Sequence, residues 1–369
     1  MLIKFRYPIY NPCVNSVDVA TDWNGLAFDT TQDIDVALAQ PFSIAAMRVF
    51  YNEPYVFSYD PEIAQVDVSQ FDLVLLSDVE YAQQWEIEAW INKNNIKNYV
   101  LALGGRGEHD TPDPKNMLYR PYWVKKYLEK NQFVDTQADH KPYMFDCMLG
   151  ARRPHRDYVM LAMTRTGLLD HSIVTYRSGF PGEIINEYTK KYAEHFPDTP
   201  LCWPYVSPNL DPDWEVTNQM NNQISFISPN QIFQNTYYSI LTETLGTGNN
   251  FFLSEKTIKA MFARRVFVVF GIRHYLKHLR ELGFQTFEGV IDESYDDEPH
   301  DEIRFQKAML QVMRLAWFEN PKTVYDLISY ALDNNQRTLA WLCEKSQQQM
   351  QELLQLHIPG QHLQFRPKS

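Results

Sequence analysis

A chain of 369 residues is long enough for two domains, and its 44% hydrophobic fraction is enough to build their cores. The net charge of −12, from 46 acidic and 34 basic residues, argues against non-specific binding to nucleic acid or to an anionic membrane, while leaving room for a local basic groove. No apolar run approaches transmembrane length, so no stable membrane insertion is expected. The start, MLIKFRYPIY, lacks a signal-peptide pattern. Cys13, Cys147, Cys202 and Cys343 are far apart and include no CxxC pair. They read as buried small hydrophobes in a reducing, cytoplasmic setting rather than as zinc ligands.

In chain order, Met1 to Tyr7 alternates like a strand, and Phe42 to Phe50 carries a short apolar patch. Phe71 to Asp78 reads as a buried parallel strand with a polar tip, Glu80 to Lys93 as a helix, and Tyr99 to Gly105 as the next strand. Strand, helix, strand with short joins is the βαβ pattern. A helix is expected over Tyr122 to Lys130. The aperiodic stretch from Asn131 to Pro142 reads as a linker. A strand follows at Tyr143 to Gly150, then a loop at Ala151 to Arg156 opening a helix over Asp157 to Thr166, with Pro154 near its start. Ile173 to Tyr176 is a further strand and Glu183 to Phe196 a helix. Residues 197 to 222, with Trp203, Tyr205 and Trp214, read as a long surface loop. Tyr237 to Glu243 is a strand ending on a carboxylate. Ser254 then caps a helix bearing Ile258, Met261 and Phe262 at helical spacing. That helix is expected to end at Arg264-Arg265, where cations suit the C-terminal dipole. Val266 to Gly271 reads as a strand buried on both faces, and His274 to Leu282 as a helix. The acidic run from Asp292 to Asp301 reads as a solvated loop, followed by helices over Glu302 to Phe318 and Lys322 to Leu356. The expected domains are 1–140, 141–318 and a C-terminal helical piece, 319–369.

Three groups of residues could carry chemistry. Arg152, Arg153 and Arg156, with His155, sit at a strand-to-helix junction, where guanidinium forks and a helix N-terminus suit phosphate oxygens. The competing reading is a solvated turn with surface ion pairs. Glu243 at a strand tip can accept from ribose hydroxyls, and Ser254, Glu255 and Lys256 open a helix. A Lys in a first helical turn opposes the dipole unless an anion is present; ordinary capping is the competing reading. Asp78, Glu80, Glu108, His109 and Asp110 lie at strand tips of the first domain, where one could take a proton from a hydroxyl. Singly, each reads equally as a solvated loop charge. GxSxG, HExxH and GxxxxGK[ST] are all missing, and Gly104-Gly105-Arg106-Gly107 does not fit GxGxxG.

FFLSEKTIKAMFARRVFVVFG resembles the donor-binding segment of the α1,3-fucosyltransferase-like enzymes and their bacterial, phage and giant-virus relatives. The stretches LRELGFQTFEGVIDESYD and LGARRPHRDYVM are similar to the phage and viral members, so that the resemblance covers roughly residues 143 to 312. Phe267 stands where the family usually has Pro, and Glu243-Thr244-Leu245 stands where it has Glu-Asn-Ser. The resemblance implies an α/β chain of two Rossmann-like domains facing across a cleft (the GT-B arrangement), with C-terminal helices. It implies a transferase, moving a hexosyl or pentosyl group from a nucleotide-diphosphate-sugar to a hydroxyl acceptor with no metal or other cofactor. Glu243 and Glu255 would lie near the ribose or sugar. Arg152, Arg153, Arg156 and Lys256 would lie near the diphosphate, with Ser254 capping the helix of Lys256, and Glu108, His109 or Asp110 would act as base. The acceptor expected is a glycan. Two alternatives are a phage-type enzyme acting on hydroxymethylated bases in DNA, and a non-catalytic nucleotide-sugar-binding regulator.

Overall fold

The structure, a computed structural model, describes residues 2–6, 8–10, 26–27, 29–52, 56–58, 67–78, 84–107, 115–131, 140–150, 152–176, 194–199, 205–208, 210 and 228–366. Two compact units divide the chain. One is Met1–Lys125 with Asn250–Leu253 and Trp341–Ser369; the other is Lys126–Asn249 with Ser254–Ala340.

The first segment holds β1 (Leu2–Phe5), β2 (Ile9–Tyr10), β3 (Leu26–Ala27), β4 (Thr30–Thr31), α1 (Ile34–Leu38), β5 (Ile44–Asn52), β6 (Val56–Ser58) and β7 (Leu73–Asp78). It continues with α2 (Gln84–Lys93), β8 (Tyr99–Leu103), β9 (Gly105–Gly107), β10 (Met117–Tyr119) and α3 (Tyr122–Lys130). Parallel pairing sets the order β10-β8-β7-β5-β2-β4, with β6 antiparallel on β5. The apolar runs foreseen in the sequence are buried on both faces, as strands of a covered parallel sheet must be. Ala45, Met47, Val74, Leu76, Leu101 and Leu103 pack against Ile87, Trp90 and Ile91 of α2. The alternate residues Ile44, Ala46, Leu73, Leu75, Val100 and Ala102 pack against Met350, Leu353 and Leu354.

The second segment holds β11 (Tyr143–Leu149), α4 (Pro154–Arg165), β12 (Ser172–Tyr176), β13 (Tyr205–Val206), α5 (Asn230–Asn235) and β14 (Thr236–Thr242). After β15 (Asn250–Phe252) come α6 (Glu255–Phe262), β16 (Val266–Phe270), α7 (Tyr275–Glu281), α8 (Asp301–Ala316), α9 (Pro321–Leu327), α10 (Ser329–His357) and β17 (Leu363–Arg366). β15 pairs antiparallel with β9, and β17 antiparallel with β1, inside the first unit.

The sheet of the second unit has the order β13-β12-β11-β14-β16, parallel except for β13. From β11 the chain steps outward to β12, then returns across β11 to β14 and β16. The topological switch point therefore lies between the carboxyl ends of β11 and β14, the usual place for a ligand crevice in an open α/β sheet. Tyr158 of α4, Phe270 of β16 and Phe305 of α8 cluster on one face, with ring centroids 6.0–6.5 Å apart.

Three sequence expectations change here. First, residues 319–369 are not a separate piece. The 29-residue α10 is divided between the units: Asn335 bonds the Gln285 backbone and Gln336 the Phe262 carbonyl in one, while Met350 and Leu354 enter the core of the other. The boundary at 140 likewise falls inside the second unit, which begins at Lys126. Second, α6 ends at Phe262, Arg264 turns back with φ 53°, and Arg265 is fully buried rather than set at a helix terminus. Its guanidinium donates to Asp146 Oδ2 (2.7 Å), the Phe233 carbonyl (3.1 Å) and the Thr236 hydroxyl (2.8 Å). Third, the acidic run is only partly solvated: Asp292 and Asp297 are exposed, while Glu293 and Asp296 are held by the fold. Asp296 is 2% exposed and accepts from the Leu276 and Lys277 amides at 2.9 and 3.0 Å, capping α7. Glu293 accepts from Arg280, the Thr286 hydroxyl and the Phe287 amide. Burial outweighs these bonds and raises the pKa of both carboxyls above the ordinary range.

Cys147 is a buried free thiol and Cys343 a half-buried one; Cys13 and Cys202 lie outside the described residues, as do Trp203 and Trp214. Most of the expected helix over Glu183 to Phe196 is also outside them. Among the described residues no helix is long and apolar enough to cross a membrane.

Candidate functional site

The switch point of the second unit is built from two segments about ninety residues apart in the chain. β11 ends at Leu149, and Arg153 is the N-cap residue of α4, with Pro154 at the first helical position. The Arg153 side chain makes no capping hydrogen bond. The turn thus presents a helix N-terminus together with cations. β14 ends at Thr242, and the amide of Glu243 still bonds the Phe270 carbonyl at 3.1 Å.

The Glu243 carbonyl joins the two segments. His155, 3% exposed, places Nε2 2.8 Å from the Glu243 carbonyl oxygen, and Arg156 Nη2 donates to the same oxygen at 3.3 Å. A carbonyl only accepts, so the imidazole proton sits on Nε2. Burial first, then the charge of Arg156, with Arg153 and Lys256 adding to it, holds the His155 pKa well below its ordinary value against the opposing bond to Glu243. The ring is neutral at pH 7.

The Glu243 carboxylate is turned inward, with the residue 1% exposed. Thr257 donates to its Oε1 at 2.5 Å and the Thr244 amide to its Oε2 at 3.3 Å. Because the Thr257 hydroxyl proton goes to the carboxylate, Tyr275 OH, 3.0 Å away, is the donor to Thr257. The carboxylate fastens the starts of α6 and α7 to the end of β14.

Ser254 is the N-cap of α6 in extended conformation, its Oγ accepting from the Lys256 amide at 3.2 Å, as the sequence implied. Lys256 Nζ lies 2.7 Å from Glu255 Oε1 and 3.4 Å from Thr244 Oγ1, with 19% of its side chain exposed. Burial works to raise the Glu255 pKa, but Lys256 and Lys259 together outweigh it and leave the carboxyl below its ordinary range. Glu255 is therefore ionised at neutral pH.

The three arginines of the turn take different places. Arg152 forks onto Asp157, with Nε to Oδ1 and Nη2 to Oδ2 both at 3.2 Å. Arg156 is 4% exposed and runs beneath Gly150, where a Cβ would lie 3.5 Å from Nη1. Arg153 stays half-buried at the helix start. The structure thus brings together Arg152, Arg153, Arg156, Glu243, Ser254, Glu255 and Lys256 in one unit. Glu108, His109 and Asp110 lie outside the described residues, as does Glu80.

Sequence reasoning did not single out Thr257, Tyr275, Gly246 or Arg304. Arg304 of α8, 2% exposed, donates to the Gly246 carbonyl at 3.0 Å and the Gly271 carbonyl at 3.2 Å, tying together the loops after β14 and β16. Thr257 adjoins the Ser-Glu-Lys triplet and Gly246 follows Glu243 by three residues, but nothing local marks either. A groove of about 550 Å³ in the same unit is lined by Arg280, Glu288, Asp292, Asp297 and Arg314 among others, and by none of the candidate residues.

No protein-family model matches the chain, and no curated protein matches it. Solved structures similar to it include T4 phage BGT in complex with UDP and Mn²⁺, at 12% identity over 96% of this chain and 98% of that one, TM-score 0.41. The DNA modifying enzyme β-glucosyltransferase, solved in the presence and absence of uridine diphosphoglucose, is similar at 11% identity over 96% and 98%, TM-score 0.42. An α1,3-fucosyltransferase is similar at 12% identity over 86% and 94%, TM-score 0.30. By name these neighbours include the kind of enzyme that the sequence resembles. At such identities and TM-scores the likeness reaches neither substrate nor chemistry.

Proposed function

We propose that this chain is a glycosyltransferase whose second unit holds a nucleotide-diphosphate-sugar at the switch point between β11 and β14. The observation that carries the reading is that the starts of two helices meet at the end of β14, where His155 and Arg156 bond the Glu243 carbonyl and Lys256 reaches the adjoining Thr244 hydroxyl. Two helix N-termini and three cations in an acidic protein form a local anion site. The chemistry needing such a site is departure of a diphosphate. The acceptor oxygen bonds to the anomeric carbon, the bond from that carbon to the diphosphate oxygen breaks, and the leaving electron pair goes to the diphosphate. The acceptor's proton goes to a base, for which Glu108, His109 and Asp110 are the candidates. Arg153 would stabilise the developing negative charge, and Lys256 would join it by sharing its ammonium between the diphosphate and the Glu255 carboxylate that it now pairs with.

The reading takes a glycan hydroxyl as acceptor, because a net charge of −12 disfavours a polyanionic partner. A thermal-shift screen against UDP-, GDP-, ADP-, CMP- and dTDP-sugars tests the donor, with the uridine sugar first. Turnover of a stabilising donor with glycan acceptors and with hydroxymethylated duplex DNA then tests the acceptor. No stabilisation by any donor overturns the reading. Stabilisation without turnover on either acceptor makes the chain a nucleotide-sugar binder instead.

Since the site's own cations supply the countercharge, turnover should persist in EDTA. Activity abolished by EDTA and restored by Mn²⁺ or Mg²⁺ would show that a metal carries the leaving-group charge.

A further inference from the structure

His155 and Gly246 form a fitted pair at the centre of this site. The imidazole lies so close to Gly246 that a Cβ there would come within 2.3 Å of Nδ1, 2.4 Å of Cγ and 2.9 Å of the His155 Cβ. These atoms are the ring and its root, not the end of a flexible chain, so they have little freedom to retreat. Phe305 stands behind the ring at 6.2 Å between centroids. The loop is equally held, because Arg304 donates to the Gly246 carbonyl and, through Asp301, is anchored to its own helix. With Nε2 bonded to the Glu243 carbonyl, the ring fills the space between the end of β14 and the first turn of α4.

We infer that His155 is a positioning residue: seated on Gly246, it sets the separation between the cationic turn at Arg153–Arg156 and the Glu243–Lys256 side of the anion site. The inference rests on the diphosphate-site reading above. A ring held neutral by its surroundings serves this purpose because it needs no counterion of its own. The titratable and charged groups bearing on it are Arg153 and Arg156 from its own element and Lys256 from α6, all cationic. An imidazolium would repel the cations that it spaces.

The test is calorimetry of the full chain with UDP and with inorganic pyrophosphate as probes, together with thermal unfolding. Gly246→Ala should push the imidazole aside and weaken both probes by about ten-fold or more, the scale of one lost charged hydrogen bond. His155→Ala in the same chain should relieve the clash and recover the melting temperature without recovering affinity, because the spacer is gone. His155→Gln, which keeps an N–H for the Glu243 carbonyl, should retain more affinity than His155→Ala. Affinity that tracks melting temperature across the three variants would make the pair structural only and overturn the inference. Wild-type protein binding neither probe would instead remove the diphosphate site itself, and the inference with it.

Discussion

Asp146→Ala is expected to destabilise the protein by about 3–5 kcal/mol, the cost of leaving a buried charge without its partner. Asp146 and Arg265 are both fully buried, with Nη2 and Oδ2 2.7 Å apart. The hydroxyls of Thr236 and Ser239 donate to the same carboxylate oxygen at 3.0 and 2.9 Å. Arg265 also stacks its guanidinium over Phe233 at 5.0 Å. Removing the carboxylate strands the guanidinium among apolar side chains, with only neutral acceptors remaining. Denaturant midpoints of Asp146→Ala, of the double variant Asp146→Leu/Arg265→Met, and of Asp326→Ala on the surface make the comparison. The double variant should lie well above the single one, since it removes both desolvation costs. A single variant no less stable than Asp326→Ala would mean that the pair is solvated in solution.

Lys256→Gln is expected to weaken donor binding by about 1.5–3 kcal/mol, roughly ten- to a hundred-fold, as for a hydrogen bond to a charged group. The neutral replacement also leaves the Glu255 carboxylate without its partner at 2.7 Å, which adds repulsion against a diphosphate. Arg153→Ala should reduce affinity for a nucleotide-sugar more than for the free nucleoside, because the guanidinium addresses phosphate oxygens. Arg152→Ala should do less to the donor and more to stability, since its fork is taken by Asp157. Calorimetry with matched nucleoside, nucleotide and nucleotide-sugar checks all three. Equal losses across that series for Arg153→Ala would assign it to the fold rather than to the phosphates.

Much of the architecture was legible without coordinates. Phe71–Asp78, Tyr99–Gly105, Tyr143–Gly150 and Val266–Gly271 each read as a strand, the first and last of them as buried ones, and each lies within about two residues of a strand observed. A parallel strand covered on both sides must be apolar at successive positions, so the signal is local. The Ser254 cap is local too: its hydroxyl meets an amide two residues on. The same locality explains the misreadings. Arg265 follows a helix and so suggests a dipole interaction, but its partner Asp146 is 119 residues away. Asp296 reads as one more charge in an acidic run, yet it caps a helix that begins twenty-one residues earlier in the chain.

The sequence by itself determined the α/β class, the positions of the main strands and the two cationic helix starts at Arg153 and Lys256. Each of these follows from propensity, periodicity or capping within about a dozen residues. Only the tertiary structure decided that the two starts lie together at the end of β14, where Arg156 bonds the Glu243 carbonyl and Lys256 the Thr244 hydroxyl. The chain steps from β11 to β12 and returns to β14, which sets the ends of β11 and β14 side by side. His155 then bridges 88 residues of sequence through a single hydrogen bond. The division of α10 between two cores was settled in the same way, because an amphipathic helix records which of its residues are apolar but not what they pack against.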